Sequence, residues 1–426
     1  MKIQLLAIHG AWALVAAGAW WFGHRLTVLE EGSKAESQNR LKLAIDANRT
    51  GPDTASKIGG TAAASANAET TSWLQKWGGA SGVIPPENMT AALTEAMQDP
   101  DSVRGLRHFT HLLECLTSEN APAALATLRG HTASRESRLW LNLFCATWGA
   151  KDGTAAMAGA GNNDERGAAL AGWARVNSAA AKEWLAALPK DTDSDDRRRL
   201  ERSLIQGMAR TDPQGALDYI ANSNDRGDLV RILTREQMAN GIPATARWAS
   251  ELKDSEMRGP ALEAIARHYM HVDPVSGAAW AAESSTAPDM RDAVGRVADR
   301  MAENDVLAAW KWAQQLPPSP GREEAWQQVF SEWARKDPTA SSQELLRIPA
   351  GPQRDNAVHS FAGSLVRENP QDAMTWAAAI GDPGLRLETQ IDVARKWNES
   401  SPGAAQAWIV ANLPPEARVK ALTPDD

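Results

Sequence analysis

Trp248, Trp280, Trp312, Trp376 and Trp408 stand on one register of 32 residues, interrupted only at Glu344. Self-similarity at this interval belongs to chains built from stacked helical pairs, because each pair is too small to bury its apolar face alone. Other columns keep the same interval. Pro274, Pro338, Pro370 and Pro402 form one, and Arg258, Arg322, Arg354, Arg386 and Arg418 form another. The period therefore predicts an all-α repeat array before any single residue is weighed.

One unit, Asn369 to Trp397, shows how the pattern becomes structure. Asn369 is a good N-cap, and Pro370 sits in the first turn, where its missing N–H costs nothing. Ala373, Trp376, Ala377 and Ile380 follow at helical spacing, and Gly381-Asp382-Pro383-Gly384 stops the helix after about three turns. Arg386 opens a second helix whose inner face carries Ile391, Val393, Ala394 and Trp397, before Ser401-Pro402 restarts the cycle. Two short antiparallel helices per unit result. Ile265, Val297, Val329, Phe361 and Val393 share one place on the second helix, and Tyr269, Met301, Trp333, Leu365 and Trp397 another. Gly277, Ala309, Ser341, Ala373 and Ala405 supply small residues where two helices approach. Upstream the register drifts, with unit starts near Asn120, Asp152, Asn177 and Asp212, and roughly nine to ten units run from Thr71 onward.

The stretches Asp273-Pro274 to Trp280-Ala281 and Asn369-Pro370 to Trp376-Ala377 resemble the junction between tetratricopeptide repeats, where a Pro closes one unit and a Trp opens the next. The period is 32 and the Gly and Tyr that follow the Trp in that family are absent. Over most of residues 120–426 the resemblance implies a right-handed TPR-like α-solenoid, of a family that mostly binds peptides or proteins in a concave groove. It carries over no ligand-binding residue.

Composition narrows the partners. With 53 acidic and 45 basic residues the net charge is -8, and no Lys or Arg run exceeds Arg197-Arg198-Arg199, which argues against phosphate-backbone binding. The chain has 18 Trp against 2 Tyr and 5 Phe, so a single packing niche has been filled repeatedly with one large ring. The stretch Ile3 to Gly23 is almost uncharged and ends on Trp20, Trp21 and Phe22, followed by His24-Arg25. About 20 apolar residues span a bilayer, and aromatic rings favour its interface, so residues 1–25 are predicted to be a single transmembrane anchor. The competing reading is a signal peptide cleaved after Ala17-Gly18-Ala19. Either way the rest is exported, to the periplasmic side of an inner membrane. Residues 26–70 are predicted to be a polar helix and a flexible Gly/Ala/Ser/Thr linker, and residues 71–426 the repeat domain.

Each candidate for chemistry has a plain structural counterpart. The tryptophan column is expected to wedge between the two helices of each unit, leaving Trp73, Trp140, Trp310 and Trp326, which lie off it, for exposed contacts such as sugar stacking. The arginines Arg258, Arg322, Arg354 and Arg386 are candidates to line a groove that holds carboxylates, or else to pair between repeats. Asp191, Asp193, Asp195 and Asp196 match a calcium loop at its first oxygens, but Asp196 stands where Gly is needed and Arg202 where the bidentate Glu belongs. Asp-Ser-Asp-Asp within that run also has the form of the class II terpene cyclase acid motif, although an acidic turn opening a helix accounts for it. His108, His111 and Cys115 share one helical face, and Cys145 follows about one repeat later, close enough for a disulfide with Cys115. No metal, cofactor or catalytic set is expected. The sequence thus points to a membrane-tethered scaffold for a protein or peptide partner, with a carbohydrate-binding or lytic-transglycosylase-like superhelix as the alternative.

Overall fold

The structure, a computed structural model, describes residues 70–79, 82–131 and 134–423. The expected anchor over residues 1–25 lies outside the described residues, as does the linker up to residue 69. The described chain is all-helical and without strands, and none of its helices is long and apolar enough to cross a membrane. It divides into two compact units, Met1–Ala216 and Leu217–Asp426.

At Asp273, Asp305 and Asp337 a single residue joins one helical pair to the next, whereas a short turn precedes Asp212 and Asn369. Asp273 has φ -152 and ψ 79, so it belongs to neither neighbouring helix. Its N–H donates to the Tyr269 carbonyl at 2.8 Å, closing the helix before it, and its carboxylate accepts the Ser276 N–H at 3.1 Å, opening the helix after it. Asp305, Asp337 and Asn369 do the same at successive steps, and in the first unit so do Asp152, Asn177 and Asp212. One side chain thus satisfies groups that two helix ends would otherwise leave orphaned. Pro274, Pro338 and Pro370 fill the first turn behind their caps, as their column predicts. Ser401 keeps the same backbone but makes no side-chain cap.

In Leu217–Asp426 the first helices are short, as in Pro274–Ser284, Val306–Gln315, Pro338–Arg347, Pro370–Ala378 and Pro402–Asn412. The second helices are longer: Ser255–Val272, Arg291–Asn304, Pro320–Lys336, Pro352–Leu365 and Pro383–Ser400. Successive second helices pack side by side, whereas no comparable contact joins successive first helices. Ile265, Val297, Val329 and Val393 are fully buried and Phe361 nearly so, which makes this column the centre of the core. The small-residue column, Gly277, Ala309, Ser341, Ala373 and Ala405, is buried throughout.

The tryptophans sit differently from the sequence expectation. All five rings of the column are half-buried, while Trp73, Trp140, Trp310 and Trp326, expected to be the exposed ones, are buried. The contacts show why. Trp280 packs 5.6 Å from the Tyr269 ring and Trp376 5.2 Å from Phe361, both on the preceding second helix. Trp312 Nε1 donates to the Ala278 carbonyl of the preceding first helix at 3.3 Å. These rings reach back toward the preceding unit, where first helices stand apart, and their outer edges stay in solvent. The ring that does wedge inside its own unit is Trp310, edge-on to Trp326 at 4.7 Å and to Phe330 at 4.9 Å. Glu344, at the one break in the column, accepts the Trp310 Nε1–H at 3.0 Å and so also reaches back one unit.

In Met1–Ala216 the helices Arg135–Lys151, Asn163–Val176 and Ser194–Met208 pack almost backbone to backbone. A Cβ on Gly172 would lie 1.8 Å from the Ala146 carbonyl oxygen, and one on Gly149 would lie 2.0 Å from that of Ala169. Glycine is required here by close approach alone. Beside this contact, Glu165 is buried and ties Asn163–Val176 to Ala121–Arg129: it accepts Arg129 Nε at 3.0 Å and the Gly161 N–H at 2.7 Å. Gly172→Ala should therefore lower the stability of this unit by about 3 kcal/mol, because neither backbone can give way. Urea unfolding followed by helical circular dichroism checks this, and an unchanged midpoint would show that the two helices do not approach so closely.

Candidate functional site

The arginine column serves the interior of the units. A first helix ends with carbonyls that lack helical partners, and cations favour that end. Arg386 Nη1 donates to the Ile380 carbonyl at 3.0 Å, and Arg418 Nε to that of Leu413 at 2.8 Å. Arg258 donates to the Leu252 carbonyl and pairs with Asp289 at 2.7 Å. Arg226, one period upstream, bonds the Ser223 carbonyl at 3.3 Å. Arg322 lies over the Trp326 ring at 4.8 Å. Arg354 is half-buried, and beside it Asp355 accepts the Gly381 and Asp382 N–H groups, each at 3.0 Å. Arg258, Arg386 and Arg418 are thus struts across their hairpin turns, and none of Arg258, Arg322, Arg354 and Arg386 lines the pocket described next.

The remaining candidates are also accounted for locally. Asp193 caps Ser194–Met208 by accepting the Asp195 and Asp196 N–H groups at 2.9 and 3.2 Å; Asp195 pairs with Arg198 and Asp196 accepts from Asn163. His108 is stacked on Trp73 at 4.5 Å, His111 faces Glu114 at 2.9 Å, and Cys115 Sγ donates to the Gly82 carbonyl at 3.1 Å, so the three diverge. Among the described residues no three such side chains converge as metal ligands. The disulfide allowed by spacing is not formed: Cys115 and Cys145 are free, and burial pushes the Cys145 thiol up to about 12.

The surface with uncommitted chemistry lies on the row of second helices. Upstream it is closed by charge. Glu263 accepts Arg231 at 3.0 Å, Arg267 at 2.9 Å and Arg296 at 3.2 Å, which bridges three consecutive second helices. Burial alone would raise the Glu263 carboxyl, but hydrogen bonds from Arg231 and Arg296 outweigh it and hold the group below its usual range. Downstream the long side chains give way. Where Arg291–Asn304 carries Arg296, Asp299 and Arg300, Pro352–Leu365 carries Ser360, Gly363 and Ser364 at the same register.

The result is a pocket of about 200 Å³ across three helices. Gln327, Gln328 and Ser331 come from Pro320–Lys336; His359, Ser360, Gly363 and Ser364 from Pro352–Leu365; Thr389, Asp392, Val393 and Lys396 from Pro383–Ser400. Ser331 and Ser364 bond each other at 2.8 Å, Asp392 pairs with Arg395 at 3.0 Å, and Lys396 Nζ reaches the Gly363 carbonyl at 3.2 Å. Gln327 and Ser360 have no side-chain partner. Sequence reading missed all of these residues, since polar groups on an outer helical face resemble any solvated surface; the signal was the run of small residues at 360, 363 and 364.

Comparison with family models, with curated proteins and with solved structures gives no significant match for this chain.

The Glu263 network carries a pH dependence with a definite sign. A carboxyl whose folded pKa is lowered contributes stability above its unfolded pKa and loses it as pH falls through the folded one. Glu263→Gln should cost about 1 kcal/mol at pH 7, a modest value because all three arginines keep solvent contact. The variant and the natural chain should converge in acid, where both side chains are neutral. Urea titrations at neutral and acid pH check this, and a gap of constant size would contradict it.

Proposed function

We propose that this chain is a membrane-tethered, non-catalytic scaffold that binds a protein or peptide partner on the outer side of the inner membrane. On this reading a TPR-like, right-handed α-solenoid of roughly nine to ten units over residues 71–426 stands off the membrane on the linker of residues 26–70, behind an anchor over residues 1–25. The observation that carries the proposal is the pocket on the second helices. It is the place where a row otherwise closed by Arg–Glu bridges offers unfilled hydrogen-bonding groups on an open face. At about 200 Å³ it falls below the ~300 Å³ lower bound usual for small-molecule sites, which suits part of a longer chain better than an enclosed substrate.

The carbohydrate-binding alternative draws on the half-buried indoles of Trp248, Trp280, Trp312, Trp376 and Trp408. Its weakness is that Trp280, Trp312 and Trp376 already make contacts with the preceding unit.

A photo-reactive residue placed at Gln327 in the full chain, irradiated in native membranes, tests the proposal. The same group at Gln406, exposed on a first helix, serves as control. Discrete protein adducts from position 327 and none from position 406 are expected. Absence of adducts at position 327, together with retention of the chain by isolated cell-wall polysaccharide, would replace the scaffold reading with the carbohydrate one.

A further inference from the structure

The polarity of the pocket is set by one histidine. The Thr389 hydroxyl has a single proton, and it is donated to the Leu385 carbonyl at 2.6 Å. Toward His359 Nδ1, 2.8 Å away, Thr389 can only accept. Nδ1 therefore carries the imidazole proton, and Nε2 of the neutral ring of His359, a residue that lines the pocket, is left as a pure acceptor. Lys396 lies on the adjoining helix as a donor with N–H groups to spare beyond its bond to Gly363, and Ser360 and Gln327 can serve either way.

This set selects among ligand classes. A carboxylate would meet the His359 lone pair and the Asp392 carboxylate. An ammonium would meet Lys396. A sugar ring would find no Trp, Tyr or Phe face, since the lining has no ring but the His359 imidazole. A neutral group that donates at one end and accepts at the other suits all of them, and the volume is that of about seven waters, room for one or two residues of a chain. On the reading that a partner chain docks on this row, we infer that the pocket holds an uncharged amide, a peptide unit of an extended segment, with its N–H on His359 Nε2 and its carbonyl on Lys396 Nζ. The small side chains at Ser360 and Gly363 let a backbone come close enough to make both bonds.

The test uses the full chain in detergent, labelled with 15N-histidine, and follows the ring nitrogens of His359, assigned by their loss in His359→Gln. The free chain should show Nδ1 protonated and Nε2 bare. An end-blocked glycine tripeptide should move the Nε2 resonance saturably, with half-saturation at about 1 mM, as expected for a few weak hydrogen bonds. Ser360→Phe, which fills the pocket from a half-buried position, should abolish the response while circular dichroism stays unchanged. Should Ser360→Phe disturb the fold, Lys396→Met, at an exposed position, should weaken the response at least several-fold. The inference is overturned if Nε2 carries the proton in the free chain, if the blocked peptide leaves it unmoved, or if succinate moves it instead. Protein adducts at position 327 beside a silent His359 would retire the amide while leaving the scaffold reading standing.

Discussion

At Asp273, Asp305 and Asp337 two helix ends share one residue, and the geometry of that residue governs how each unit follows the last. Asp273, Asp305, Asp337 and Asn369 keep φ between -142 and -152, so the backbone turns through an extended link and resumes a helix at once. The N–H belongs to the helix behind, the side-chain oxygen to the helix ahead. A junction of one residue, as at Asp273, Asp305 and Asp337, leaves little slack, and the same pair of bonds recurs at Asn369 after a short turn. Where the residue changes, the junction changes with it: Gly241, one period before Asp273, takes φ +95 after the 3-10 turn Met238–Asn240.

From this link the division of labour follows. Second helices lie against one another along a core of Ile265, Val297, Val329, Phe361 and Val393, and the shorter first helices stand apart. The open side needs a filler, and the half-buried tryptophans reach back across it. The hairpin turn needs donors for its free carbonyls, and Arg258, Arg386 and Arg418 on second helices provide them. With many of the repeated Trp and Arg side chains engaged between or within units, the exposed face of the second helices is where residues differ from unit to unit. There the charged rungs around Glu263 yield to the small polar residues around His359.

The architecture was legible because periodicity reports backbone geometry directly. Pro370 after Asn369 announces a helix start by elementary stereochemistry, and the buried column at Val297 and Val329 follows from helical spacing. The roles of the repeated large residues were harder to read. A recurring Trp signals a recurring niche, but whether that niche lies within a unit or between units depends on how far apart the first helices stand, which no local pattern encodes. Trp310 and Trp312 are two residues apart and were assigned to each other's environments for that reason. The arginines likewise gave their period and hid their direction. The pocket at His359 was invisible for the opposite reason: it is a local exception to the repeat, and it depends on three helices 32 residues apart coming into register.

The junction residue is the point at which the account is most exposed. Asp337 accepts the Ala340 N–H at 2.9 Å while its own N–H holds the Trp333 carbonyl at 2.8 Å, and only the first of these bonds depends on the side chain. Comparing urea unfolding of Asp337→Ala and Asp337→Asn isolates it. The account predicts a loss of about 1 kcal/mol for Asp337→Ala and little loss for Asp337→Asn, which keeps an oxygen in the same place. An Asp337→Ala chain as stable as the natural one would mean that the shared cap does not set the array, and the structure would need another origin.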